Sequence, residues 1–437
     1  SMLLTFLLSI PFLAACFIVL LQPRHLRLIE WAAMIASVTE LGLVFSLIPR
    51  VLSEGSVRVS ALFSIDALGV FFALIIALIG CAVSVYSVGY LRAEVEKGII
   101  GPRRVRQYFL LLELFLFAML LAVGTVNPVV MWIAIEATTL STAFLITFYN
   151  KPSATEAGWK YLILNSLGLL LSLFGTLLFL ALPDTKSGAL SWEHLRSFAS
   201  SFSPFAVKMA FVCILVGYGT KIGLVPMHTW LPDAHSKAPA PISALLSGVL
   251  LNVALFAVLR FKGVTEGAVG TAFTGQVFLF FGGLSLVVAA FIIFVQKNYK
   301  RLLAYSSNEQ MGLIVLGIGI GGAGVVAAFL QMLYHSLAKS LLFLVSGNIF
   351  LKYSSTKMGN VSGTLTALPL SGMLFFAGVL ILSGMPLSGI FFAKFLLLSA
   401  GIKAHPVLTG LALLLLVVIF FGFLKHLTKI SFGVPPV

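Results

Sequence analysis

From Leu3 to Leu424 the chain alternates long apolar runs with short polar interruptions, and the interruptions carry most of its charges. A run that is apolar on every side finds no half-buried helix face to form in a soluble domain. At 1.5 Å rise per residue, about 20 such residues cross the hydrocarbon of a bilayer. Bounded by charges or by Pro and Gly, the runs predict about thirteen spanning helices, near 3–21, 28–48, 65–90, 108–124, 127–149, 157–182, 205–224, 238–261, 274–296, 301–321, 324–350, 366–400 and 406–424. No stretch is left over for a soluble domain, so the pattern predicts an all-α polytopic membrane protein. The segment Leu3 to Leu21 has neither a basic leader nor a small-residue cleavage site and reads as a first span; Ser1 ahead of Met2 reads as an artificial leading residue.

Composition agrees. Of 437 residues, 60% are hydrophobic and 10% charged, with a mean hydropathy of +1.10, where a soluble domain carries about a quarter charged residues. The net charge of +14 would suggest nucleic acid as a partner of a soluble protein. Here no basic run is interleaved with aromatics, and the loop cations instead set orientation and meet anionic lipid, so no nucleic acid is expected. Taking the loops alternately, sixteen Lys and Arg fall on one side, Arg24, Arg103, Lys297 and Lys425 among them, and eight on the other, including Arg50, Arg58, Lys186 and Arg196. The richer side is expected in the cytoplasm and the N-terminus outside. Cys16, Cys81 and Cys213 stand alone in apolar runs, with no CxxC. Hence no zinc, iron-sulfur cluster, disulfide or other cofactor is expected on this chain, and any electron chemistry belongs to other chains. No nucleophile-base, phosphate-loop or metal-ligand spacing stands out, so no residue is assigned as catalytic.

Four cations escape the loops. Lys160, Lys221, Lys339 and Lys394 fall inside or at the lip of apolar runs, as do Glu136 and His335. Each costs at least ~2.5 kcal/mol at a helix centre. One alone reads as a snorkelling or helix-pairing charge, but six spread over several spans solvate one another in a hydrated polar file, which predicts a proton or ion path. Two runs are also broken. Lys221 is followed by Gly223, Pro226, His228, Pro232, Asp233, Pro239 and Pro241, and Lys394 is preceded by Gly384, Met385, Pro386 and Gly389. Paired interruptions point to internal repeats and to the place of transport, since freed backbone groups are tolerated only along a cavity. The reading is residues 1–100 as three extra N-terminal helices, 101–262 and 263–430 as two five-helix repeats, and 431–437 as a C-terminal loop. Other polar residues carry weaker signals. Glu113 and Glu40 face a neighbouring subunit or side channel, or simply pack; Glu309 serves a cytoplasmic entrance or is a solvated helix end. Trp132 and Trp159 read as interfacial anchors, and His194, His405 and His426 as loop or membrane-edge residues.

These residues sit in recognisable company. The segments WIAIEATTLSTAFLI around Glu136, GTKIGLVPMHTWLPDAHSKAPAPISALL around Lys221, KRLLAYSSNEQMG from Lys300 and HSLAKSLLFLVSGNI around His335 resemble the antiporter-like subunits of respiratory complex I, membrane-bound hydrogenases and Mrp-type cation/proton antiporters. With YSVGYLRAEVEKG and SALLSGVLLN, the chain looks closest to component F of hydrogenase-4 type formate hydrogenlyases. The resemblance implies fourteen helices, two inverted five-helix repeats with helices seven and twelve broken, and a proton-translocating, non-redox subunit of an energy-converting oxidoreductase complex. Its implied partners are other membrane subunits, lipids and a peripheral nickel-iron hydrogenase or similar redox arm, in a bacterial or archaeal inner membrane. A sodium/proton antiporter subunit, or an ion-coupled subunit of inorganic carbon uptake, is the alternative. By resemblance, Glu136 and Lys221 form the ion pair of a first half-channel with Lys160 near it. His335 and Lys339 lie in the central water file, Lys394 serves a second half-channel, and His228 and Lys300 stand toward the cytoplasm. There are departures: Ser247 or Asn252 replaces an ionisable residue of the eighth helix, Asn298 replaces an Asp, and the sequence stops at SFGVPPV after the thirteenth helix, which leads us to expect an incomplete chain.

Overall fold

The computed structural model of the chain describes residues 2–182 and 190–435; Ser1, Lys186 and the last two residues of segment 431–437 lie outside the described residues. The fold is all-α and polytopic. In chain order come α1 (Met2–Leu20), α2 (Leu26–Glu54), α3 (Ala67–Glu96), α4 (Pro102–Gly124), α5 (Pro128–Ile146), α6 (Pro152–Ala181), the short α7 (Trp192–Ser197) and α8 (Pro204–Ile222). Then follow α9 (Trp230–Lys237), α10 (Ala240–Leu245), a π-helical turn Leu246–Leu250, α11 (Leu251–Val269), α12 (Thr271–Val295), α13 (Tyr299–Ile320) and α14 (Ala323–Tyr353). The chain closes with the single turn α15 (Thr364–Ala367), α16 (Pro369–Ser383), α17 (Gly389–Ala404) and α18 (Pro406–Ser431). A small antiparallel hairpin that the sequence pattern did not predict pairs Ser56–Arg58 with Ser64–Asp66.

Among the described residues, eleven helices are long and apolar enough to cross a membrane, Ala240–Val269 counting as one. The expected span at 301–321 is α13, whose Lys300, Arg301 and Glu309 make it more polar than the rest. The expected span at 366–400 is two helices, α16 and α17. Large apolar side chains such as Phe291 (70% exposed) and Leu414 (60%) point outward, as lipid rather than water requires.

By packing, the chain divides into two compact units, one of residues 1–221 and 252–270, the other of 222–251 and 271–437. In the first, helices come close through glycine. A Cβ on Gly217 of α8 would lie 2.5 Å from the Ser172 nitrogen of α6, and one on Gly168 of α6 would lie 2.8 Å from the Gly217 oxygen. Bare backbone on both sides lets α6 and α8 touch directly. The start of α3 is tied by Asp66, which caps it by accepting from the Gly69 amide at 2.9 Å and receives both Arg260 guanidinium nitrogens at 2.6 and 2.7 Å. Burial disfavours the Asp66 carboxylate, but the Arg260 guanidinium outweighs it and holds the acid below its ordinary range.

In the second unit the same device joins α12 to α13, where a Cβ on Gly282 would lie 2.8 Å from the Gly312 oxygen. Both expected breaks are present. The first runs from Gly223, at φ +81°, to the start of α9, and includes a cis Val225–Pro226 bond. Its freed backbone groups find side chains: Asn308 donates to the Gly223 oxygen at 2.6 Å, and the Val225 amide donates to Ser285 Oγ at 3.1 Å. That pairing is what an interrupted helix needs inside a membrane. The second break follows α16, where Gly384 at φ +92° closes the helix with amide bonds from Gly384 to Ile381 and from Met385 to Leu380. Ser388 then caps α17 by accepting from Phe391 at 3.1 Å. Asn298, where the resemblance leads one to expect Asp, caps α13 by accepting from the Lys300 and Arg301 amides at 2.9 and 3.1 Å. Asn caps as well as Asp does, so that substitution costs the helix little.

Candidate functional site

In the first unit the polar cluster lies on α5, α6 and the end of α8. Glu136 and Thr139 of α5 are three residues apart and share a face. Lys221, fully buried, donates to Thr139 Oγ1 and, at 3.4 Å, to the Tyr161 hydroxyl, with its ammonium 5.5 Å from the Tyr161 ring centre. Tyr161 in turn bonds Thr142 at 2.5 Å. Glu136 is half-buried and accepts from Ser166 at 3.3 Å; Lys221 acts on it through space, not through a shared hydrogen bond. The pair expected from the sequence is therefore linked by hydroxyls: Lys221 takes neutral oxygen partners one turn along α5 from the carboxylate. Lys160 faces differently. Its side chain is 49% exposed and pairs with Glu156 at 2.9 Å. Tyr161 faces Lys221, and the preceding residue is turned about 100° away around the helix.

The second unit holds a longer array, organised by α13. Lys300, Leu303, Ser306 and Glu309 recur every three residues, a row that winds about half-way around α13 while advancing about 14 Å at 1.5 Å rise per residue. Lys300, buried, donates to the Ala238 oxygen at 2.6 Å. Lys339 of α14 donates to the Leu303 oxygen and to Ser306 Oγ, and lies within electrostatic reach of Glu309. Glu309 is fully buried and accepts from Lys394 of α17 at 2.9 Å; its second oxygen accepts from Gln310 at 2.9 Å. Gln310 receives a hydrogen bond from Gln331 of α14. Lys394 and Gln310 both donate, at 3.2 Å, to the Leu382 oxygen, which the second break frees at the end of α16. The break thus supplies a carbonyl at a helix C-terminus, the pole that favours a cation.

Three imidazoles border the array. His335 is one turn before Lys339 on α14, fully buried, and neither ring nitrogen has a hydrogen-bond partner among the described residues. His235 of α9 is likewise buried and stacks on Phe343 at 5.0 Å, within electrostatic reach of Lys339 and Lys300. His228 is buried in the first break, its ring 6.2 Å from that of Tyr305. The π-helical turn brings Ser247 to Ser307 at 2.7 Å, so the non-ionisable residue of the eighth helix still bonds α13.

Several weaker readings of the sequence change. Glu309 is no solvated helix end; it is the buried counter-ion of Lys394, and its place as the eleventh residue of α13 was the signal. Gln310, Gln331, His235, Thr139 and Tyr161 were also missed, because uncharged or motif-bound polar residues carry no insertion cost large enough to single them out. Trp132 is no interfacial anchor, since its indole donates to the Leu169 oxygen of α6 at 2.7 Å. Glu40 of α2 and Glu113 of α4 face the interior: both are fully buried, and none of their four carboxylate oxygens has a hydrogen-bond partner among the described residues. Replacing either carboxyl by an amide therefore breaks no hydrogen bond seen among the described residues. Glu113→Gln should leave the melting temperature of the detergent-solubilised protein unchanged or slightly raised; a fall of several degrees would show that an ionised carboxylate is required there.

The description "NADH:quinone oxidoreductase/Mrp antiporter, TM" matches residues 126–421, and "NADH-Ubiquinone oxidoreductase (complex I), chain 5 N-terminus" matches 52–98. The chain belongs to this family of antiporter-like, multi-pass membrane proteins. It is 37% identical over 378 residues to the hydrogenase-4 component F homolog of Methylacidiphilum infernorum (isolate V4), covering 85% of this chain and 79% of that relative. It spans about half the length of other curated relatives it matches. A chain in the membrane-bound sulfane sulfur reductase, an archaeal respiratory membrane complex, superposes with a TM-score of 0.88 at 23% identity, over 99% of this chain and 88% of that one. A chain of the Mrp complex from Dietzia sp. DQ12-45-1b gives 0.88 at 22%, over 99% and 80%. At such identities these two likenesses define the fold alone.

Proposed function

We propose that this chain is the proton-translocating subunit of a membrane-bound energy-converting hydrogenase or related oxidoreductase complex, moving protons through Glu136, Lys221, His228, Lys300, His335, Lys339 and Lys394 and water. Glu309 joins that set, and Lys160, turned outward, contributes least. The observation that carries the reading is the bonding of the buried lysines. Lys221 rests on hydroxyls, Lys339 on a carbonyl and a hydroxyl, and Lys394 on a carboxylate and a carbonyl. A lysine solvated by neutral oxygens in a low-dielectric interior gives up its proton far more readily than one in water, whereas a carboxylate beside it retains the proton. Lysines with and without a direct carboxylate are what a sequence of proton holds and releases requires. They suit sodium poorly, since ammonium groups repel it and sodium takes oxygen ligands.

The reading groups the helices as two five-helix repeats, 101–262 and 263–430, each a half-channel, with 1–100 as an addition, and sets the N-terminus outside in a bacterial or archaeal inner membrane. Redox chemistry and any cofactor belong to partner chains. The test is copurification. A tagged chain drawn gently from native membranes is expected to bring a nickel-iron hydrogenase and iron-sulfur subunits with it. Recovery with the other subunits of a sodium/proton antiporter, and no redox chain, would overturn the assignment.

A further inference from the structure

At one end of α12 and α18, a groove of about 890 Å³ is lined by Lys297, Lys357, Lys425 and Lys429 together with Phe294 and Val295, and no Asp or Glu lines it. All four lysines are exposed, and the ion pairs among the described residues include none of them. Lys425 donates to the Phe294 oxygen at 3.4 Å and lies 5.1 Å from that ring, which holds its ammonium at the groove rather than away from it. Four like charges around one concavity repel one another unless an anion sits among them.

The place indicates which anion. Phe294 and Val295 are the last residues of the α12 span, and Lys425 and Lys429 lie in the last two turns of α18, so the groove opens where hydrocarbon meets water. Directly inward, Phe291 and Val295 are each 70% exposed and Phe421 is 55% exposed, so an outward apolar strip runs from the lysines along both helices. A cationic cup continuous with an apolar strip fits a molecule with a phosphate head and acyl tails. We propose that this groove binds an anionic phospholipid, its phosphate among the four ammonium groups and its chains along Phe291 and Phe421. The site stands apart from the proton-handling residues and does not depend on that reading.

The test uses the purified complex carrying the full chain, titrated in detergent with phosphatidylglycerol and with phosphatidylcholine, retention being read by native mass spectrometry. The wild-type protein is expected to retain phosphatidylglycerol over phosphatidylcholine. Lys425→Gln with Lys429→Gln should weaken phosphatidylglycerol retention roughly tenfold or more and leave phosphatidylcholine alone. Arg103→Gln with Lys151→Gln, which removes the same charge elsewhere, should change neither. Should the groove variant fail to assemble, Lys297→Gln, in a loop, is expected to give a smaller loss in the same direction. Undiminished phosphatidylglycerol retention in the groove variants, an equal loss in the control, or no preference in the wild type would overturn the proposal. So would equal displacement by free glycerol phosphate, which would mark a site for soluble phosphate instead.

Discussion

Glu309→Ala is expected to destabilise the protein by ~3–5 kcal/mol, the range for breaking one side of a buried ion pair. Lys394 is 8% exposed and would retain the Leu382 carbonyl but no counter-charge. Gln310 would lose its bond to Glu309 as well, so the damage reaches α14 through Gln331. The cost is that of the abandoned charge rather than the worth of the pair, which makes the double variant informative. Glu309→Ala with Lys394→Met removes both charges and should cost clearly less than the sum of the two single changes. Loss of monodisperse protein on heating, measured for the two singles and the double, provides the cycle. Additive effects would mean that the contact at 2.9 Å contributes no coupling.

How much of the fold and the site was legible in the sequence follows from what each feature costs. Spanning helices declare themselves because a run must be predominantly apolar over about 20 residues, and the breaks do so because Gly and Pro cluster there, at Gly223 and Pro226 and at Gly384, Pro386 and Gly389. Lysines inside a span are equally visible. Their partners were not: Thr139, Tyr161 and the Leu303 carbonyl look ordinary in sequence, and which face of a helix they occupy relative to another helix depends on packing. Lys160 illustrates the limit, since one residue's difference on α6 separates the buried Tyr161 from a side chain paired outward with Glu156. The resemblance supplied candidates that periodicity alone could not, yet it also placed Lys160 beside the pair and passed over Glu309.

The second large effect concerns transport. Lys221→Ala should abolish proton translocation, and Glu136→Gln should abolish or strongly reduce it, while the chain still inserts and assembles. Among the described residues of its cluster Lys221 is the only group able to carry a proton as a cation, and its loss leaves Tyr161 and Thr142 bonded to each other while Thr139 gives up its bond to the ammonium. Lys221→Met, which fills the space without the charge, separates chemistry from packing: it should be as inactive as Lys221→Ala but no less stable than wild type. In a tightly coupled complex the redox turnover should fall with it, because electron flow stalls when the pump cannot discharge. Lost assembly in all three variants would instead identify Lys221 and Glu136 as fixed packing elements.

The most direct measurement is proton uptake by dye quenching in proteoliposomes that hold the whole complex, with redox turnover recorded in parallel. Wild-type vesicles are predicted to build a quench that an uncoupler abolishes, whereas fully assembled Lys221→Ala vesicles remain at the uncoupled level. A full quench in both Lys221→Ala and Glu136→Gln vesicles would contradict proton transfer through these residues.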